Sequence, residues 1–322
     1  MKLFTTLLLS ISAAFSLPAL AQPYPTRPVK ILVTAGAGSS ADLLARIAAD
    51  ELGKRLGQPF IVENKPGAGG NIAADVVAKA KPDGYTLLMA TVSTHGINPS
   101  LYVKLPFDPV KDFAPIGLLA SNPNVLVVSP SLPVNNLQEL IALAKKTPDG
   151  LTYSSGGTGT SQHLAAEIMA AEAGIKLTHI PFKSAPESLN AMLSGQVVMS
   201  FASIPVALQQ VKAGKLKAIG VTANKSAPAW RDLAPPLASQ GLPGYDVSAW
   251  FGLAAPAGTP ADIVKRLNSE STAAFKTSAV QTKLESLGME ELSSTPQYFD
   301  SFIRSEIVRW SKIVKQSGAK PE

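Results

Sequence analysis

A chain of 322 residues with 16% charged side chains and a formal net charge of +6 has room for two lobes, each burying its own core, and carries only a mild positive field. It contains no cysteine, which excludes disulfides, thiolate metal sites, a Cys nucleophile and a lipid anchor on an N-terminal Cys. Its basic residues are scattered, with no dense run interleaved with aromatics, and this argues against nucleic acid as a partner.

The first element is a targeting segment. Lys2 opens it, residues 3–17 form an apolar run broken only by Thr and Ser, and Ala19-Leu20-Ala21 gives a small-x-small cleavage pattern before Gln22. Residues 1–21 read as a Sec-type signal peptide, which places the mature chain in the periplasm without a lipid anchor. The run is shorter than the ~20 apolar residues of a membrane span. No Arg-Arg pair precedes it, which argues against export as a folded, cofactor-loaded protein.

Periodicity next predicts a strand over 29–34 and a helix over 41–56, with Leu43, Leu44, Ile47 and Leu52 on one side. A strand over 59–63, a helix over 69–80 and a strand over 85–91 complete a βαβαβ order, which implies a parallel sheet with right-handed crossovers. A lobe crossing is expected around 120–125. The same order then returns: strand 151–154, helix 160–173, strand 176–182, helix 185–194, strand 197–201. A Pro-rich stretch over 227–243 should run along the surface, and a second crossing falls around 245–250. Residues 258–260 (GTP) and 294–296 (STP) each place Thr at an N-cap and Pro at the first helical position. The last helix carries Phe299, Phe302, Ile303, Ile307, Trp310 and Ile313 at helical spacing, a core stripe. The expected division is 22–122 and 247–322 in one lobe, and 123–246 in the other.

Both halves send their first strand into a Gly/Ser-rich turn: GAGSSAD over 36–42 and SGGTGTS over 155–161. Open α/β sheets bind ligands beyond the carboxyl ends of their strands, where helix N-termini offer free N–H groups and partial positive charge. Two uncharged, donor-rich turns in matching positions predict a cleft that holds an anion, phosphate or carboxylate.

Other motifs compete. Residues 36–41 fit G-x-G-x-x-A, with Glu63 near the place of a ribose-binding acid, but a dinucleotide site sits poorly with Sec export. SGGTGTS lacks the Lys of a P-loop. His95, His163 and His179 form no zinc spacing, and no G-x-S-x-G elbow occurs. An exported hydrolase using Ser161 with a histidine stands as the alternative from a different class.

Five stretches in order carry a resemblance: ENKPGAGGNIAAD (63–75), KPDGYTLLMAT (81–91), THGINPSLY (94–102), GTSQHLAAE (159–167) and WFGLAAPAGTP (250–260). Together they strongly resemble the Bug family of periplasmic solute-binding proteins, receptors of tripartite tricarboxylate transporters. The resemblance implies an α/β type 2 periplasmic-binding-protein fold, with two βαβ lobes closing on a carboxylated ligand across hinge crossings, and no chemistry and no cofactor. It implies as partners a small organic carboxylate and the membrane subunits of such a transporter, or a sensor protein, and a monomeric receptor. Carried over residue by residue, first-lobe contacts fall on Gly38, Ser39, Ser40, Ala41 and Asp42, and on Ser93, Thr94 and His95. Second-lobe contacts fall on Ser155, Thr158, Gly159, Thr160 and Ser161, with Phe182, Lys183, Ala202 and Ser203 on the far wall. Asp42 caps its helix or touches ligand; both readings stand. Two departures matter. The first turn often begins Pro-aromatic in this family but reads Thr34-Ala35 here, so a different ligand shape is implied. The Ala202 position lacks the acid that would pair with an amino group, which favours plain carboxylates over amino acids.

Overall fold

A computed structural model describes residues 24–224, 227–228 and 230–320; the signal-peptide reading of 1–21 lies outside the described residues. The first half follows the periodicity: β1 (Val29–Val33), α1 (Ser40–Leu56), β2 (Phe60–Asn64), α2 (Asn71–Ala78) and β3 (Thr86–Thr91). β1 pairs in parallel with β2 on one side and β3 on the other. The helix expected over 69–80 begins later. Ala68 (φ 47°), Gly69 (φ 63°) and Gly70 (φ 93°) are left-handed and make a short 3-10 turn, Ala68–Gly70, ahead of α2. Space also demands glycine at 70, where an added Cβ would stand 2.8 Å from Thr34 Cβ. After β3 a π-type turn (Ser93–Ile97) leads into the short helix α3 (Asn98–Leu101).

The second half runs β4 (Phe113–Val128), α4 (Leu137–Lys146), β5 (Leu151–Ser155), α5 (Ser161–Ala173), β6 (Leu177–Pro181), α6 (Ala185–Leu193), β7 (Met199–Ser203), α7 (Ile204–Lys212) and β8 (Lys217–Val221). The Pro-rich stretch contributes a 3-10 turn, Leu237–Gln240. The chain ends with β9 (Ser248–Pro256), α8 (Ala261–Phe275), α9 (Ser278–Ser286), β10 (Glu290–Glu291) and α10 (Pro296–Ser317). One N-cap expectation needs correction. Thr295 does cap α10, its Oγ1 accepting the Tyr298 N–H at 3.2 Å. At α8, however, Pro260 (ψ 136°) is still extended, and the Thr259 hydroxyl donates back to the Pro256 carbonyl at 2.8 Å.

Among the described residues ten strands form one sheet, ordered β2-β1-β3-β9-β4-β7-β5-β6, with β8 and β10 also on β4. β5 lies parallel to both β6 and β7, repeating the arrangement around β1. Two parallel halves are thus joined through β9 and β4. The expected crossing at 120–125 lies inside the 16-residue β4. Up to Pro123 this strand pairs with β9; from Asn124 onward it pairs with β7, and from Val125 also with β8. Proline, lacking an N–H, sits where the partner changes.

The far end of β4 also divides the core. Leu126 and Val128 join the large cluster, while Val125 and Val127 join a smaller one that includes Leu189, Ile204 and Trp230, as strand alternation requires. The stripe on α10 packs as predicted: Phe299, Ile303 and Trp310 are buried, with Phe302, Ile307 and Ile313 against the same cluster.

Candidate functional site

The first wall is the turn from β1 into α1. Ser39 caps the helix, its Oγ accepting the Asp42 N–H at 3.3 Å. Ser40 and Ala41 follow at the first helical positions, where N–H groups have no carbonyl acceptor within the helix; Ser39, Ser40 and Ala41 line a central cavity. Asp42 turns away from it. Its carboxylate takes the Gly38 N–H at 2.9 Å, the Asn64 amide at 2.9 Å and two Arg46 nitrogens at 3.0 Å. Burial alone would raise this carboxyl, but the Arg46, Gly38 and Asn64 hydrogen bonds outweigh it and hold the group below the usual carboxylate range. Gly38 and Asp42 therefore brace the turn from behind.

The second wall is the turn from β5 into α5. Thr160 caps α5, its Oγ1 accepting the His163 N–H at 3.3 Å and donating to the Gly157 carbonyl at 2.7 Å. Thr158, Thr160, Ser161 and Gln162 line the cavity. Ser155 and Gly159 stand behind them: Ser155 Oγ pairs with His179 Nε2 at 2.7 Å, and the Gly159 N–H donates to His163 Nδ1 at 3.3 Å.

The strand joining the halves ties both helix starts to itself. Asn122 Nδ2 donates to Ser40 Oγ at 3.3 Å, and Asn124 Nδ2 donates to Ser161 Oγ at 3.1 Å. Beside them, Thr222 knots the two crossing strands: its N–H donates to the Asn124 carbonyl at 2.9 Å and its Oγ1 to the Val247 carbonyl at 2.8 Å.

The walls meet. An added Cβ on Gly36 would lie 2.7 Å from Ser184 Cβ, and one on Gly159 would lie 2.5 Å from Asn98 Oδ1. Between them is a cavity of about 350 Å³, at the small end of ligand sites. Ser93, Phe182, Lys183 and Ser203 line it, and Lys183 is the one charged side chain among the described lining residues. Thr94 and His95 are fully buried behind Ser93, where His95 Nδ1 pairs with Thr94 Oγ1 at 2.8 Å. Ala202 faces the smaller core cluster. Thr34 and Ala35 reach the cavity, and its aromatic faces come from Tyr102, Phe182 and Phe251. Sequence reasoning missed the left-handed stretch Gly67, Ala68, Gly69 and Gly70, and both Asn122 and Asn124. The cluster of three glycines among four residues was the available signal for the first; the asparagines carry no local motif.

Buried polar atoms without partners are uncommon. Among the described residues, Thr158 Oγ1, Ser203 Oγ and Asn122 Oδ1 are buried with no hydrogen-bond partner, and all three residues line this cavity.

The histidines stay behind the walls. His163 stacks on His179 at 4.4 Å, and His179 on Tyr153 at 4.8 Å. Ser161 Oγ is engaged by Asn124, and the imidazole that touches a serine, His179, sits on Ser155. Burial pushes His163 down to about 4 and His95 to about 3; burial and then His163 push His179 to about 3. An unfolded imidazole titrates near ~6.5, so the stability these neutral rings contribute is complete above that pH and is lost as pH falls toward the folded values. Between pH 7 and pH 5, His163 alone is expected to account for a loss of about 2 kcal/mol. Urea unfolding at both pH values checks this: His163→Asn, whose Oδ1 still takes the Gly159 N–H, should lose that much less than the wild type.

Among the described residues no helix is long and apolar enough to cross a membrane. Residues 44–319 match the tripartite tricarboxylate transporter family receptor. Protein BugT of Bordetella pertussis is 32% identical over 310 residues, spanning 96% of this chain and 95% of its own. Among solved structures, R. palustris Rpa4515 with adipate superposes with a TM-score of 0.89 at 35% identity, covering 93% of this chain and 100% of that one. MatC (Rpa3494) from Rhodopseudomonas palustris with bound malate gives 0.85 at 34% identity, covering 90% and 100%. With two matched βαβ halves flanking one cavity and a match that spans most of its length, the chain belongs to the tripartite tricarboxylate transporter receptor family.

Proposed function

We propose that the protein is a periplasmic receptor that captures a small organic carboxylate in this cavity and delivers it to the membrane subunits of a tripartite tricarboxylate-type transporter. The observation that carries the reading is the convergence of two helix N-termini, from opposite halves of the sheet, on a cavity with no acidic side chain among its described lining residues. Free N–H groups and the partial positive end of each helix suit a carboxylate. Charge-assisted hydrogen bonds contribute ~1.5–3 kcal/mol each, so three or four supply the roughly −8 kcal/mol of micromolar binding after the cost of immobilising the ligand. The adipate and malate bound to Rpa4515 and MatC support the ligand class.

In this reading, residues 22–122 and 247–322 form one lobe and 123–246 the other. The change of strand partner after Pro123 and the knot at Thr222 support a hinge there. The ligand is taken by one lobe, and closure brings the second donor set to it.

Isothermal titration calorimetry against a panel of mono- and dicarboxylates tests the proposal, with recovery of the acid unchanged as its second readout. Thr158→Val combined with Ser161→Ala is expected to weaken binding about tenfold, the loss of one or two hydrogen bonds. Undiminished affinity would refute this placement of the site, and turnover of the acid would refute a pure receptor.

A further inference from the structure

We infer that Asn122 reads a hydroxyl group beside the ligand's carboxylate, so that the receptor prefers 2-hydroxy acids to unsubstituted and 2-amino acids of the same chain length. The inference rests on the carboxylate reading above and narrows it. Asn122 is 1% exposed and lies on β4 just before the strand changes partner. Its Nδ2 donates to Ser40 Oγ at 3.3 Å and to the Pro123 carbonyl at 3.3 Å. A carbonyl only accepts, so Pro123 fixes which end of the amide is nitrogen. Oδ1 is the end left over, buried and without a partner among the described residues.

Thr158 and Ser203 also have unpartnered oxygens, but a hydroxyl rotates and can donate to a carboxylate. Asn122 Oδ1 can only accept, and therefore calls for a donor. Its amide bonds the side chain of Ser40, whose own N–H is among the free donors at the start of α1. A carboxylate held on that N–H brings the substituent of its α-carbon beside Asn122. An unsubstituted acid offers only C–H there and leaves Oδ1 unpaired, which a site built for a hydrogen bond penalises. An ammonium would donate, but no described lining residue is acidic and Lys183 adds a positive charge. Desolvating a cation without a counter-charge costs far more than desolvating a hydroxyl. A neutral hydroxyl satisfies Oδ1 without that cost.

Calorimetry with two matched series decides the matter: succinate, malate and aspartate, and glutarate, 2-hydroxyglutarate and glutamate. At whichever chain length binds, the hydroxy acid is expected to bind about tenfold tighter than the unsubstituted acid, the worth of one neutral hydrogen bond, and tighter still than the amino acid. In Asn122→Ala, with melting temperature as a check on folding, that ratio should fall to near one. Equal binding of hydroxy and unsubstituted acids by the wild type overturns the inference, as does tightest binding of the amino acid. A variant that weakens both partners of a pair equally gives Asn122 a scaffold role and also overturns it. If no acid of either series binds while another acid of the wider panel does, this inference falls and the carboxylate reading stands; if no acid of the panel binds, both fall.

Discussion

Gly36→Ala is expected to raise the dissociation constant of the bound carboxylate about 10- to 100-fold while leaving the free energy of unfolding within ~1 kcal/mol of wild type. Gly36 is not in the left-handed region, so alanine takes its backbone without strain. The new methyl would stand 2.7 Å from Ser184 Cβ, across the cleft. Overpacking of this kind costs about 1–3 kcal/mol, and in the proposed hinge reading it falls on the closed form alone, which lowers the fraction of molecules competent to hold ligand. Calorimetry and urea unfolding on the same preparation separate the two effects. An unchanged affinity would mean that ligand binding does not bring Gly36 against Ser184. An equal loss of stability would mean that the contact belongs to the resting fold rather than to closure.

Glu306→Ala is expected to cost about 3–5 kcal/mol of stability. The side chain is buried on α10, and its Oε2 accepts both the Trp250 Nε1–H at 2.8 Å and the Trp310 Nε1–H at 2.9 Å. Oε1 takes Arg309 at 3.1 Å, and Arg309 in turn reaches the Asp246 carbonyl at 2.7 Å. Removing the carboxylate strands two indole donors in the core and releases the arginine that holds the returning crossing strand. Glu306→Gln, which keeps an acceptor, should lose less than half as much. Equilibrium unfolding followed by tryptophan fluorescence measures both variants, and a loss below ~1 kcal/mol in Glu306→Ala would refute this account.

The two parallel halves were legible because the chemistry that makes them is local. Helices α1 and α5 begin at Ser39 and Thr160, whose side chains cap them, after turns rich in glycine, and on α1 the buried Leu44, Ala48 and Leu52 repeat at helical spacing. Strands β4 and β9 were not legible as strands. Both are buried along nearly their whole length, so no polar alternation marks them, and β4 carries a proline where it changes partner. The site divides along the same line. Ser39, Ser40, Thr160 and Ser161 could be placed at a helix start from neighbouring residues alone. Which side of a turn faces inward is a tertiary fact: Thr94 and His95 follow Ser93 directly and yet point into the core. Asn122 and Asn124 matter because one strand passes both helix starts, 82 and 37 residues away in sequence from their Ser40 and Ser161 partners.

That shared strand sets an order of assembly. The block from Asn124 to Val221 supplies β7, β5, β6 and β8 as well as its own end of β4, so, apart from the bridge of Val221 to Pro236, it holds its strand pairings within about a hundred consecutive residues. In the other block β3 can pair with β1 at once, but its second edge has no partner until β9 has been made, some 160 residues later. A nascent chain delivered N-terminus first therefore has its middle ready to fold while its beginning still waits for its end. Until then the β9-facing edge of β3 stays open, which makes the earliest part of the chain the one most in need of a chaperone.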